Sequence, residues 1–112
     1  MSQITTHILD TSLGKPARGV SIELQQKSGN EWETIGSGKT NDDGRLPGLL
    51  EDFVRLTPGV YRLVFDTGGY YQSIGTKGLY PSVSIDFEVG NDPHYHIPLL
   101  LNPFGYSTYR GS

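Results

Sequence analysis

Apolar and polar residues alternate along several short stretches of this chain. Near the start, Thr6 and Ile8 fall on one face of an extended segment. The opposite face carries Thr5, His7 and Leu9. The same two-residue period recurs around residues 20–24, 60–66 and 83–89. Because successive side chains of a strand point to opposite faces, each stretch predicts a half-buried β-strand.

Residues that favour turns separate these stretches. They lie at residues 14–16, 28–30, 40–45, 56–59 and 91–93. The turn at 28–30 predicts a hairpin into a strand that runs from Trp32 towards Lys39. Gly44 is expected to supply a positive φ, and residues 67–75 predict one short helix. The pattern therefore predicts an all-β, two-sheet β-sandwich of seven or eight strands with one short helix.

A pair of strands near the C-terminus shows the same alternation. One face carries polar and mixed residues and the other is apolar: His94, His96, Pro98 and Leu100 against Tyr95, Ile97, Leu99 and Leu101. After a break at residues 102–105, a short strand over residues 106–109 leads directly into Arg110, Gly111 and Ser112. Chain termini are usually loose, and one that follows an aromatic strand so closely is expected to be held in place.

Composition and charge narrow the possible functions. A length of 112 residues fits a single domain over residues 1–112. The net charge of -3 argues against binding to nucleic acid or to an anionic membrane. There is no cysteine, which excludes disulfides and thiolate metal sites. The first residues show neither the positive nor the apolar region of a signal peptide, so we expect a cytoplasmic location, or the periplasm if a leader has been removed.

Three histidines are the first candidates for chemistry. His94 and His96 lie two residues apart on one strand face and could begin a zinc site. Zinc needs three or four ligands, and only His7 and scattered carboxylates remain, so no metal and no cofactor are expected. A neutral imidazole can instead act as a general base. Because the chain lacks Gly-x-Ser-x-Gly and Ser112 stands at its end, activation of water is favoured over a covalent intermediate.

Arg45 follows the turn at residues 40–45 and has two possible readings. It could be a solvated turn residue paired loosely with Asp42 or Asp43, which would contribute little energy. It could also be a fork that binds an anionic or carbonyl-rich ligand through two hydrogen bonds. Spacing alone does not choose between them.

Four short motifs give the chain a recognisable resemblance. They are Thr6-His7-Ile8-Leu9-Asp10, Gly38-Lys39-Thr40 with Asp43-Gly44-Arg45, the run of residues 95–101, and the terminal Tyr109-Arg110-Gly111-Ser112. Through them the chain resembles the transthyretin superfamily, and specifically its enzyme branch, the 5-hydroxyisourate hydrolases of urate degradation. The terminal tetrapeptide is the strongest signal, since the enzymes end on it and the hormone carriers of the superfamily lack it.

The resemblance implies roles for five residues. His7, Arg45 and His96 match active-site residues of the enzymes, at positions where the carriers have lysine, an acidic residue and threonine. Tyr109 and Ser112 match the first and last residues of the terminal motif and are expected to bind the substrate. Ser112 is also expected to belong to the catalytic set. His94 lies outside the core motif and receives no catalytic role.

The resemblance further implies a transthyretin-like sandwich that assembles as a homotetramer, a dimer of dimers, with a channel between the dimers. The implied reaction is hydrolysis of 5-hydroxyisourate to 2-oxo-4-hydroxy-4-carboxy-5-ureidoimidazoline. The alternative function is a small-molecule carrier that binds thyroid hormone without turnover. A third possibility is an extracellular immunoglobulin-like adhesion domain, which predicts a monomer and a leader peptide.

Overall fold

The structure, a computed structural model, describes residues 1–112 and contains ten short strands and one helix. The strands are β1 Ile4–Thr5, β2 Ile8–Asp10, β3 Lys15–Pro16, β4 Ser21–Ser28, β5 Glu31–Lys39, β6 Gly59–Phe65, β7 Val83–Val89, β8 Tyr95–His96, β9 Leu99–Asn102 and β10 Gly105–Thr108, and the helix α1 is Thr67–Ser73. The structure contains no helix with the length and apolarity needed to cross a membrane.

The longer strands form an antiparallel sheet in the order β5-β4-β6-β7. Its inner face follows the alternation of the sequence, because Ile22, Leu24, Leu63 and Phe65 are all buried while their strand neighbours are more exposed. β4 and β5 form the predicted hairpin, and the turn between them contains Gly29 at φ 63°. This sheet supplies one half of the sandwich core.

The second sheet has the order β10-β9-β2-β3. A separate parallel pair is formed by β1 and β8, which come directly before β2 and β9 along the chain. Ile4 pairs with Tyr95 and Ile8 with Leu99, so the parallel pairs β1-β8 and β2-β9 have the same residue offset. In the gap between them, Ile97 and Leu99 donate to the backbone carbonyls of Thr5 and His7 at 2.9 Å, and the Thr6 hydroxyl donates to the backbone carbonyl of Ile97 at 2.6 Å.

The predicted fold is confirmed, with one correction to the number of strands. Seven or eight were expected and ten are present. Two of the predicted strands are each split into two short ones, β1 with β2 and β8 with β9. The prediction of a turn over residues 14–16 was also partly wrong, since Lys15 and Pro16 pair with β2 as the edge strand β3.

The helix α1 packs against the sandwich through two buried tyrosines. Its N-terminus is capped by Asp66, whose carboxylate accepts from the backbone N–H of Gly69 at 3.0 Å. The hydroxyl of Tyr70 donates at 2.8 Å to Asp10, a fully buried carboxylate of β2. This bond links the helix to the strand that follows His7.

Candidate active site

The alternation that was read from the sequence places two histidines on the outer side of their sheet. Thr6 and Ile8 are buried while His7 between them is half-buried. Tyr95 and Ile97 are buried while His96 is half-buried. Because β1 and β8 run parallel and in register, the segments that carry the two histidines are neighbours although they are far apart in sequence.

Arg45 is brought to the same place by the turn over residues 40–45. The Asn41 side chain accepts from the backbone N–H groups of Asp43 and Arg45, at 2.9 and 3.1 Å. Gly44 has φ 73°, as predicted, and its carbonyl accepts from Ile8 at 2.9 Å. Arg45 then pairs with His7 in an antiparallel bridge.

The guanidinium of Arg45 is not engaged by the acidic residues of its own turn. Asp42 pairs instead with Arg18 at 3.1 Å, and Arg45 takes part in no salt bridge of the chain. Its side chain lines an open cleft. The reading of Arg45 as a turn residue paired with Asp42 or Asp43 is therefore not supported, and its charge is free to meet a ligand.

The C-terminal segment closes the other side of this cleft. The backbone N–H of Gly111 donates to the backbone carbonyl of His96 at 2.8 Å, and Arg110 forms a 3.0 Å salt bridge with Asp92. The guanidinium of Arg110 also lies 4.8 Å from the centre of the Tyr95 ring. The terminus is thus held in place, as its sequence predicted, and Ser112 reaches the cleft.

The cleft has a volume of about 510 Å³, within the usual range for small-molecule sites. Polar side chains predominate in its lining, which consists of Met1, Thr5, Thr6, Arg45, Leu46, Pro47, Asp52, His94, His96 and Ser112. The structure therefore brings three of the predicted residues, Arg45, His96 and Ser112, into one site.

Two predicted residues stand apart from this lining. His7 adjoins it through its backbone bridge to Arg45. Tyr109 lies on a separate cleft of about 280 Å³, next to β7, with 57% of its surface exposed. Within one chain Tyr109 is not placed with Arg45 and His96, and its substrate-binding role remains a prediction.

The electrostatic setting of His96 suits a neutral imidazole. Burial lowers the pKa of His96 below its ordinary value of 6.5, and the positive charge of Arg45 lowers that pKa further. His94 and His7 act in the same direction with smaller effect. At neutral pH the His96 ring is therefore uncharged and can accept a proton.

Thr5 and His94, neither of which was expected to take part in catalysis, lie beside His96. The Thr5 hydroxyl is within hydrogen-bond distance of both His94 and His96, at 2.8 and 2.7 Å. The alternation of the sequence placed Thr5 on the same strand face as His7, and this was the only sign that Thr5 could lie near the site. The sequence contained no indication that Thr5 and His96 would face each other, because that depends on the register of β1 against β8.

The fold and the cleft together define a transthyretin-type β-sandwich with a histidine- and arginine-lined small-molecule site. The chain belongs to the HIUase/Transthyretin family, whose family model matches residues 4–111.

Similar proteins include both branches of this family. The chain is 45% identical to 5-hydroxyisourate hydrolase 2 of Rhizobium meliloti, over 98% of this chain and 96% of the relative. It is 41% identical to the mouse 5-hydroxyisourate hydrolase, over 99% and 96% of the two chains. Two solved structures share the fold. The 5-hydroxyisourate hydrolase of Klebsiella pneumoniae has a TM-score of 0.85 at 39% identity, with 99% and 100% of the chains covered. Sea bream transthyretin in complex with thyroxine has a TM-score of 0.91 at 30% identity, with 98% and 95% covered.

Proposed function

We propose that this protein hydrolyses 5-hydroxyisourate to 2-oxo-4-hydroxy-4-carboxy-5-ureidoimidazoline with a water molecule activated by histidine. The observation that carries the proposal is the cleft that gathers Arg45, His96 and Ser112. Relatives named 5-hydroxyisourate hydrolase, matched over nearly the whole chain, support the same substrate.

The chemistry of the cleft fits the opening of a cyclic amide. Water attacks the carbonyl carbon and gives its proton to a base, the carbonyl oxygen becomes negative, and the ring nitrogen leaves with a proton. His96 supplies a neutral imidazole as the base, alone or together with His7. Arg45, which has no carboxylate partner in the chain, binds the substrate oxygens and stabilises the developing negative charge. Ser112 closes the cleft and hydrogen-bonds the substrate.

The carrier function is the second candidate, because sea bream transthyretin shares the fold with a TM-score of 0.91. The backbone alone therefore does not separate carrier from enzyme. The side chains favour the enzyme, since Arg45 and His96 bring a charge and a proton acceptor to the cleft. A carrier of an aromatic hormone has no need of a general base.

A turnover assay separates the two functions. Purified protein should accelerate the loss of absorbance of freshly generated 5-hydroxyisourate over the spontaneous rate. His7→Ala and His96→Ala should each lower the rate on the order of 10²-fold or more if that residue is the general base. Losses below about threefold in both variants, with assembly intact, would reject the histidine assignment. Tight binding of thyroid hormone without turnover would favour the carrier.

We also propose that the chain assembles as a homotetramer, a dimer of dimers. β7 and β10 are edge strands of the two sheets, and each leaves one side unpaired. The two edges adjoin, since the cleft of about 280 Å³ next to Tyr109 is lined by residues 85–88 and 108–110. Pairing of this edge with a second copy would cover Tyr109 and satisfy both strands. Sedimentation of the purified protein as a monomer would contradict the proposal.

A further inference from the structure

The hydroxyl of Thr5 lies between two imidazole rings in the wall of the cleft. Its oxygen is 2.8 Å from His94 Nε2 and 2.7 Å from His96 Nδ1. The rings are inclined by 24° with their centres 6.3 Å apart. The backbone fixes this arrangement, because Thr5 pairs with His96 in the parallel ladder and its carbonyl accepts from Ile97 at 2.9 Å.

The single proton of the Thr5 hydroxyl makes the proton position on one ring depend on that of the other. A hydroxyl has a single proton, so Thr5 donates to one ring and accepts from the other. If Nδ1–H of His96 donates to Thr5, then Thr5 donates to His94 Nε2. In that arrangement His96 Nε2 has a free lone pair. In the reverse arrangement His94 Nε2–H donates to Thr5, Thr5 donates to His96 Nδ1, and His96 Nε2 carries the proton instead.

We propose that Thr5 is a positioning residue that holds the His96 proton on Nδ1, so that Nε2 presents its lone pair to water in the cleft. The inference rests on the hydrolase function proposed above, because a general base needs that lone pair. Nδ1 is occupied by Thr5, and Nε2 takes part in no hydrogen bond within the chain. Nε2 is therefore the ring nitrogen that remains for the reaction.

His94 has a definite part in this arrangement. By accepting the Thr5 proton at Nε2, it leaves the Thr5 oxygen lone pairs for His96 Nδ1–H. The same oxygen stabilises the imidazolium that forms when His96 takes a proton from water. His94 is thus the acceptor that this direction of the hydrogen bonds requires, and Thr5 links it to His96.

Substitution of Thr5 tests the role of its hydroxyl. Thr5→Val keeps the shape of the side chain and removes the hydroxyl, so we expect kcat to fall on the order of 10-fold, the effect of one hydrogen bond to a charged group. KM should stay within about twofold, since Thr5 acts through His96. Thr5→Ser should keep kcat within about threefold of the wild type. Thr11→Val, which removes a hydroxyl that donates to Leu101 at 3.2 Å, is the matched control and should change nothing.

The tautomer of His96 gives a readout that needs no substrate. Nitrogen-15 NMR of the wild-type protein should show the His96 proton on Nδ1, and Thr5→Val should lose this preference. His94→Phe keeps a ring of similar shape but removes the nitrogen that accepts the Thr5 proton. Thr5 should then donate to His96, move the ring proton to Nε2 and lower kcat, even though Thr5 itself is unchanged.

Three results would overturn the positioning role. They are a wild-type His96 with its proton on Nε2, a Thr5→Val enzyme with unchanged kcat, and a Thr5→Ser enzyme as slow as Thr5→Val. Absence of turnover in the wild-type protein would instead reject the hydrolase function. The NMR measurement would still decide whether Thr5 sets the His96 tautomer in that case. If Thr5→Val fails to fold, His94→Phe tests the same hydrogen bonds.

Discussion

The contact between Gly111 and His96 offers a sharp test of how the terminal segment shapes the cleft. A methyl group added at Gly111 would meet His96 Cδ2 at 2.5 Å and Pro98 Cγ at 3.2 Å. The backbone itself would tolerate alanine, because Gly111 does not have a positive φ. Alanine also keeps the N–H that donates to His96. The effect of Gly111→Ala is therefore steric and local.

The size of the disturbance follows from these distances. Ordinary contact begins at 3.4 Å, so the ring or the terminus must move by about 0.9 Å (3.4 − 2.5 Å). A shift of this size along the 2.7 Å bond from His96 to Thr5 would stretch that bond to about 3.6 Å, which is no longer a hydrogen bond. A misplacement near 1 Å can lower a catalytic rate about 10²-fold. We expect a loss of that order in kcat for Gly111→Ala.

The assay compares turnover and thermal unfolding of Gly111→Ala with those of Gly59→Ala. Gly59 has a non-positive φ and open space around it, so its substitution should leave turnover unchanged. Unfolding temperatures of both variants should stay close to the wild type. If the terminus moves instead of the ring, Gly111→Ala should behave like a chain without Ser112. A Gly111→Ala enzyme with kcat within threefold of the wild type would refute the reasoning.

Three further predictions follow from the structure. Arg45→Met should raise the pKa of His96 measured by NMR, because the positive charge of Arg45 lowers it. The pKa should stay below 6.5, because burial, the larger cause of the lowering, remains. Protonation of His96 on acidification should therefore begin at a higher pH than in the wild type. Tyr70→Phe should lower the free energy of unfolding by about 1–3 kcal/mol in urea titrations, since it leaves one oxygen of buried Asp10 without a partner. Placing a residue with a Cβ in the left-handed conformation of Gly44 costs roughly 1–2 kcal/mol. Gly44→Ala should lower the free energy of unfolding by more than this, because its methyl would also meet the backbone carbonyl of Ile8 in β2 at 2.5 Å.

Each of these predictions has a control and a contrary result. An unchanged or lower His96 pKa in Arg45→Met would contradict the electrostatic account. Tyr106→Phe alters an exposed tyrosine and should cost little, so equal losses in the two tyrosine variants would exclude the Asp10 bond as the cause. Gly29→Ala adds a methyl at φ 63° in open space, and a Gly44→Ala loss no larger than that of Gly29→Ala would exclude the steric contribution.

The sequence predicted the local structure of the strands and of the turn at Gly44 correctly. Alternation identified which face of each strand is buried, including the outward placement of His7 and His96. Gly44 was predicted for the physical reason that the structure shows, a positive φ, and the short helix is present over Thr67–Ser73. The division of the split strands was not predictable, because it depends on how the segment around Thr6 meets the segment around Ile97, 91 positions further along the chain.

The candidate site was predicted in part, mainly from the resemblance to a known family. Motif matches named Arg45, His96 and Ser112, and the structure gathers them in one cleft. Alternation alone would have left them as separate polar residues on exposed faces. Thr5 was missed because its partners are set by strand register, and Tyr109 was expected at the same site but lies on a separate cleft.

The parallel pairing of β1 with β8 has a consequence for how this protein is made. Ile4 finds its partner in Tyr95, so the first strand waits until almost all of the chain has been synthesised. The β4-β5 hairpin joins strands that are adjacent in sequence, and its pairing with β6 needs no residue beyond Phe65, so both can form well before that. A nascent chain could thus pair β4, β5 and β6 before the cleft exists. Catalytic competence would arrive late in folding, when β1 pairs with β8.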